Sequence, residues 1–324
     1  MTRVHWTGTD LSSSPIGLGG ANLGSTISKQ ESFRLMDEYE ELGGNMVDTA
    51  QVYANWLPDA ERSISETTIG DWMKQRGNRD RLLVTTKGAH PLFESMTVSR
   101  MSDGDLREDL EGSLRRLQVD VIDMYWLHRD DESRGVGEIV ERMNGFVREG
   151  SIRYFGCSNW TAARIREAQQ YAAQHGLQGF VGNQMMWSLP VADRAGLQDP
   201  TLVPMDRETM ELHRAAELTA VPYSSQAQGV FSKWDKGTHA WDDDRIAPQY
   251  RSQTNVERFA RARKLARELN VPIGQLALAY LTSQPFPTVP IIGCNTLEQL
   301  RESMQAAALR LTPAQLDYLD NDLQ

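Results

Sequence analysis

Two hydrophobic rhythms alternate along this 324-residue chain. In one, apolar residues recur every three or four positions, as on one face of a helix. In the other they form short continuous runs, as in strands buried on both faces. Between Ser28 and Leu42 the apolar set is Phe33, Leu35, Met36, Tyr39 and Leu42, and Gly43-Gly44 stop the helix. The strand Met46-Val47 follows. A second helix, Ser65 to Arg76, ends at Gly77 and leads into Leu82-Leu83-Val84-Thr85-Thr86-Lys87. A third, with Asp103 as its expected cap, carries Leu106, Leu110, Leu114 and Leu117 and precedes the run from Val121 to His128.

The alternation persists. Helix Gly137 to Arg148 precedes strand Tyr154 to Asn159, helix Ala162 to Gln174 precedes strand Phe180 to Gln184, and helix Glu208 to Leu218 precedes strand Val221 to Ser224. After an irregular segment from about Gln226 to Thr254, helices Val256 to Leu269 and Ile273 to Ser283 lead to a strand at Val289 to Gly293, and Leu297 to Ala308 is the last helix. With Pro15 to Gly20 as the first strand, the pattern gives eight strand–helix units. Regular alternation requires parallel strands with right-handed crossovers, so the expectation is an α/β fold. We read it as a single (β/α)8 TIM barrel domain over residues 1–324, with long loops at the C-terminal face. A doubly wound sheet competes, but Gly17 and Gly19 do not complete a dinucleotide fingerprint because Asn22 stands at the third glycine. Those glycines are read instead as a close backbone approach at a strand end.

Composition narrows the picture. At 40% hydrophobic and 24% charged residues the chain reads as soluble and globular, with no apolar run of membrane-spanning length. The start, Met1 to Trp6, lacks the apolar core of a secretion signal, so the expected compartment is the cytoplasm. Cys157 and Cys294 need no disulfide. A formal net charge of -10 argues against a nucleic-acid partner, though local donors can still hold an anionic cofactor.

In a barrel the strand ends converge on one mouth. There the second strand delivers Asp48 with Tyr53 just beyond, the third Lys87 and the fourth His128. These types suit carbonyl reduction. A phenol with an ordinary pKa near 10 donates a proton poorly near neutrality, and an adjacent ammonium, held by a carboxylate, stabilises its phenolate. His128 can orient the carbonyl oxygen while Tyr53 supplies the proton. No side chain donates a hydride, so a nicotinamide cofactor is required.

Val-Asp-Thr-Ala at 47–50 with Tyr53, Thr-Thr-Lys-Gly at 85–88, Asp-Met-Tyr-Trp-Leu-His-Arg at 123–129, Gly-Cys-Ser-Asn-Trp at 156–160 and Pro-Ile-Ile-Gly at 290–293 fall in one order along nearly the whole chain. The set resembles the aldo-keto reductase superfamily. The resemblance implies an eight-stranded α/β barrel, NADP(H) or NAD(H) bound in extended form, and a tetrad of Asp48, Tyr53, Lys87 and His128. It further implies that Ser158, Asn159 and Gln184 hold the nicotinamide carboxamide and that Tyr223 stacks on the ring. Ser224, Gln226, Gly229 and Ser232 correspond to the pyrophosphate loop, and Gly293, Asn295 and Gln299 to the adenosine end, with Gly20, Ala21 and Asp48 also at the cofactor. Gly293-Cys294-Asn295 and Gln299 stand where many members place a Lys and an Arg for a 2'-phosphate, Arg301 being the nearest other cation, and Glu302-Ser303 replaces Glu-Asn.

The loop after Tyr53 is long. Trp56 lies within it, Trp187 and Trp234 fall in other loops expected at the mouth, and His90 follows Lys87. Aromatic faces beside amides and an imidazole suit a sugar or polyol, read by its apolar face and its hydroxyl edge. Asp242-Asp243-Asp244 with His239 reads as a solvated acidic loop rather than a metal site. The expected protein is thus an NAD(P)(H)-dependent oxidoreductase of a small carbonyl or alcohol substrate, with oligomeric state open. A non-catalytic nicotinamide-binding regulatory subunit or redox sensor is the alternative.

Overall fold

The computed structural model of the protein describes residues 2–215 and 218–320. A short antiparallel hairpin, β1 (Val4–His5) and β2 (Ser12–Ser13), comes first. Then follow the parallel strands β3 (Gly17–Gly19), β4 (Met46–Asp48), β5 (Leu83–Gly88), β6 (Ile122–Leu127), β7 (Ile152–Ser158), β8 (Gly182–Gln184), β9 (Thr219–Ala220) and β10 (Ile291–Ile292). They form one eight-stranded sheet in the order β10-β3-β4-β5-β6-β7-β8-β9. Its two edges meet. Ala220 bridges Thr288 in parallel, the Ala220 N–H donates to Pro287 O and the Val289 N–H donates to Ala220 O, each at 2.9 Å.

The crossovers carry α1 (Lys29–Glu41), α2 (Ile64–Arg76), α3 (Asp103–Leu117), α4 (Val136–Arg148), α5 (Ala162–His175) and α6 (Arg207–Ala215). Helices α7 (Val230–Asp235), α8 (Gln253–Glu268) and α9 (Ile273–Thr282) lie between the last two strands, and α10 (Leu297–Gln305) and α11 (Pro313–Leu319) follow them. Every residue of β5 and β6 is buried, which is why those runs are continuously apolar or hydrogen-bonded rather than alternating. Inside the ring, Met46, Leu83, Met124, Trp126, Val181 and Val289 pack with Trp6 and Leu11 of the hairpin. The hairpin therefore plugs the end where the strands begin. The strand C-terminal ends are left for chemistry.

Several boundaries differ from the hydrophobic reading. Helix α3 is capped by Ser102, whose hydroxyl accepts from the Asp105 N–H at 3.2 Å, and Asp103 is the first helical residue instead of the cap. The seventh barrel strand pairs at Thr219–Ala220 rather than Val221 to Ser224, because Pro222 has no N–H to give the ladder. Val221 and Tyr223 still donate to Asn183 O and Met185 O on either side of it. The segment read as irregular contains α7, and α8 starts at Gln253 behind a Ser252 cap. Of the helix expected over Glu208 to Leu218, residues 216–217 lie outside the described residues. Among the described residues no helix is long and apolar enough to cross a membrane.

Candidate functional site

Asp48 closes β4 and pairs in register with Thr85 of β5, while Lys87 sits two residues further along the same strand. Residues two apart on a strand share a face, so Thr85 and Lys87 both reach Asp48. Asp48 Oδ1 accepts from Thr85 Oγ1 at 2.5 Å and from Gln184 Nε2 at 3.0 Å; Oδ2 accepts from Lys87 Nζ at 2.5 Å. The ammonium spends its other two protons on Thr49 O at 2.7 Å and on the Tyr53 hydroxyl oxygen at 2.8 Å. Lys87 is 1% exposed, so every donor of a buried cation is matched.

Tyr53 arrives from the loop after β4. That loop is tied back by the Gln51 N–H to Lys87 O at 3.0 Å and by Ser63 Oγ to Gln51 O at 2.5 Å. Burial raises the Tyr53 pKa, Lys87 pulls it down, Asp48 pushes it up, and the balance stays above the ordinary phenol value. This departs from the expectation that Lys87 would leave the phenol below that value. The physical reason is that desolvation of the phenolate outweighs the single cation, whose field Asp48 partly cancels. For Lys87, burial lowers the pKa but Asp48 and then Tyr53 more than reverse it, so the amine is held charged.

His128 follows β6, its ring centre 6.1 Å from that of Tyr53. Burial, reinforced by Arg129, His90 and Lys87, holds it well below the ordinary imidazole range, so the ring is neutral. Its Nδ1 is buried without a partner. An orphaned acceptor costs less than an orphaned N–H, so the proton belongs on Nε2.

A cavity of about 800 Å³ opens on this cluster, with Tyr53 and His128 in its wall. Ser158, Asn159, Gln184 and Tyr223 line it, as do Ser224, Gln226, Gly229 and Ser232, and so do Gly293, Asn295 and Gln299. The Tyr223 hydroxyl donates to Asn159 Oδ1 at 2.6 Å, and Asn159 Nδ2 reaches His128 O at 3.2 Å, which links this wall to the Asp48–Lys87–Tyr53–His128 cluster. Ala21 lines the cavity, whereas Gly20 does not. Gly20 sits behind it, its N–H donating to Asp48 O at 2.7 Å and its carbonyl accepting from Ser65 Oγ at 2.7 Å; an added Cβ would stand 2.9 Å from that Oγ. Asp48 likewise stands behind the wall and reaches the cavity through Gln184.

Of the residues expected on the substrate side, Trp56 and His90 join the cluster. Trp56 is 44% exposed and its ring meets Tyr53 edge-on at 6.1 Å; His90 meets His128 edge-on at 4.8 Å. Trp187 and Trp234 do not. Trp187 is buried against Tyr280 and Phe286, and Trp234 against Phe231 and Phe259, because both are carried into the apolar layer under α7, α8 and α9. Phe93, which the sequence reading passed over, contacts both Trp56 at 6.1 Å and His90 at 5.4 Å.

Two cations were also missed. Lys233 and Lys236 of the α7 region line the cavity, and neither forms a salt bridge among the described residues. Arg301 is instead bound to Glu38, at 2.6 and 2.9 Å. Glu302 and Ser303 line the cavity, and Ser303 Oγ accepts from Gln226 Nε2 at 3.2 Å. In the acidic loop, Asp243 pairs with Arg245 and Asp244 with Arg251, each at 2.6 Å.

A sequence model described as the aldo/keto reductase family matches residues 15–323. Among curated relatives, an uncharacterized oxidoreductase, YrpG, of Bacillus subtilis is 30% identical, covering 97% of this chain and 93% of its own. Norsolorinic acid reductase B of Dothistroma septosporum is 28% identical over 95% of this chain and 77% of its own. An aryl-alcohol dehydrogenase [NADP(+)] of Phanerodontia chrysosporium is 28% identical over 97% and 83%.

Proposed function

Because the chain belongs to the aldo/keto reductase family, we propose that it interconverts a ring-bearing aldehyde or ketone and its alcohol, with Tyr53 as general acid and base. The observation that carries this is the contact of the Tyr53 hydroxyl with the buried Lys87 ammonium at 2.8 Å, in the wall of a cavity that also holds His128.

Members of this family work with NADP(H) or NAD(H). The cavity suits such a group in size, since ligand sites run to several hundred Å³ and this one is about 800 Å³. It suits it in chemistry too. Ala227, Gln228 and Gly229 have φ of 47°, 55° and 74°, a tight turn in which the Ala227 and Gly229 N–H groups donate to Ser224 O and Gln226 O, each at 2.8 Å, and which sets the hydroxyls of Ser224 and Ser232 in the cavity wall as donors for anionic oxygens. Lys233 and Lys236 bring positive charge to the same wall, which favours a phosphate-bearing ligand. When bound, the nicotinamide supplies or accepts the hydride.

The chain's own groups do the rest. The neutral His128 directs its Nε2–H at the substrate oxygen and fixes it beside Tyr53. Tyr53, held protonated, gives its proton to that oxygen as the alcohol forms. Lys87 then faces the phenolate at hydrogen-bond distance and lowers its cost, while Asp48 keeps the ammonium in place through Oδ2. Oxidation runs the same transfer backwards.

For the substrate, Trp56 and Phe93 offer apolar ring surface next to Tyr53, which supports an aryl aldehyde or aryl alcohol. A sugar or polyol is the second reading. It is favoured by the His90 imidazole, whose ring lies 4.8 Å from that of His128, a polar group an all-aryl ligand would not use.

Assays of nicotinamide absorbance with aryl aldehydes, aryl alcohols, sugars and polyols, using NADP(H) and NAD(H), test the reading. Turnover of a ring-bearing carbonyl with either cofactor is expected. Tight cofactor binding without turnover of any carbonyl would favour a regulatory subunit instead.

A further inference from the structure

The His90 ring carries its own hydrogen-bond record. Its Nδ1 lies 2.6 Å from Pro91 O, and a carbonyl oxygen only accepts, so Nδ1 bears the proton. Burial and the nearby Arg129 hold the ring near pKa 4, so at neutral pH Nε2 is a bare lone pair. No described residue donates to that nitrogen. His90 therefore presents an acceptor, whereas His128, 4.8 Å away between ring centres, presents a donor.

We propose that His90 reads a hydroxyl group on the carbon next to the reacting carbonyl, so that the preferred substrate is an α-hydroxy aldehyde or α-hydroxy ketone. This rests on the reading of Tyr53 and His128 given above. The carbonyl oxygen needs a donor and the vicinal hydroxyl needs an acceptor, and the two imidazoles supply them in that order. Oxygens on adjacent carbons lie about 3 Å apart, close to one hydrogen-bond length. Two imidazoles whose centres are 4.8 Å apart can bond such a pair at once. A buried acceptor left unpaired is costly, and a substrate without the hydroxyl would leave Nε2 of His90 in that state once water is excluded. The ring behind the carbonyl is still free to rest on Trp56 and Phe93.

A matched pair of ketones isolates the hydroxyl: α-hydroxyacetophenone and acetophenone share ring and carbonyl and differ only there. Both are reduced with wild type, His90→Phe and His90→Gln, using whichever reduced nicotinamide supports turnover. The wild type is expected to prefer the hydroxylated ketone in kcat/KM by about tenfold or more. His90→Phe brings that ratio to about one, chiefly by slowing the hydroxylated ketone, and His90→Gln, whose amide oxygen accepts, retains part of the preference. A wild type that reduces both ketones without preference overturns the inference, as does an equal loss on both in His90→Phe, and either result leaves Tyr53 as the acid. No reduction of either ketone by wild type that binds the nicotinamide would sink the underlying reading together with the inference.

Discussion

The Lys87 ammonium lies 2.8 Å from the Tyr53 hydroxyl oxygen and 4.5 Å from the centre of the same ring. The phenol thus has its stabilising cation within bonding reach, yet burial and Asp48 keep it protonated above the ordinary range. Under the proposed mechanism this is the proton that reduction consumes. Oxidation must first remove it.

Replacing Lys87 by Met removes the influence that lowers the Tyr53 pKa and leaves burial and Asp48, which raise it. The alcohol-oxidising rate, which needs the phenolate, is therefore expected to rise with pH at a higher pH than in wild type, with kcat down by about a hundredfold or more. The pH–rate profile reads this. A fall in kcat with an unmoved profile would show only damage to folding, which the unpaired Asp48 also favours.

Lys233 and Lys236 are expected to bind the extra phosphate of NADP(H). Each Lys→Met change should raise KM for NADPH by about tenfold, the scale of one charge-assisted contact, and leave KM for NADH within about twofold. Equal effects on both cofactors would place the two lysines at the shared pyrophosphate or outside the contact.

Trp56 and Trp187 should separate function from packing. Trp56→Ala is expected to raise KM for ring-bearing carbonyls with little change in melting temperature, because the indole is 44% exposed. Trp187→Ala opens space beside Tyr280 and Phe286 and should cost about 3–5 kcal/mol of stability without changing substrate preference. The opposite assignment of effects would return Trp187 to the mouth.

The candidate site was legible in the sequence where strand ends converge. Asp48, Lys87, His128, Ser158 and Gln184 each stand at or just past the carboxyl end of a buried run, and parallel strands bring such positions together whatever the loops do. The tryptophans were less legible, because a loop position does not say whether an indole turns to the mouth or under it. Trp187 and Trp234 turned under, since α7 to α9 form an apolar layer of their own. Lys233 and Lys236 went unread because α7 has only 6 residues, too short to show a helical period in a segment rich in polar residues. The His90 acceptor was invisible for another reason: its tautomer is set by the carbonyl of Pro91, the next residue, and only coordinates show that contact.

His213 offers a check on the fold away from the site. Its ring is buried against Phe286 and its Nδ1 donates to Leu218 O at 3.1 Å; burial lowers its pKa from 6.5 to about 4. A depressed imidazole favours the folded state above the unfolded pKa, so its contribution is complete above about pH 6.5 and is lost as pH falls towards 4. At the limit this is on the order of 3 kcal/mol. Melting temperature between pH 7 and 4.5 should fall less steeply in His213→Gln than in wild type; parallel slopes would mean that the ring is not the titrating group.

The most direct measurement compares wild type and Tyr53→Phe, following reduced-nicotinamide absorbance with a ring-bearing aldehyde and, in parallel, cofactor binding by quenching of protein fluorescence. The account expects kcat to fall by about a hundredfold to ten-thousandfold in Tyr53→Phe, the range of a general acid, while the cofactor dissociation constant changes by less than about twofold. Undiminished turnover in Tyr53→Phe would contradict it, because the proton would then come from a group other than the phenol beside Lys87.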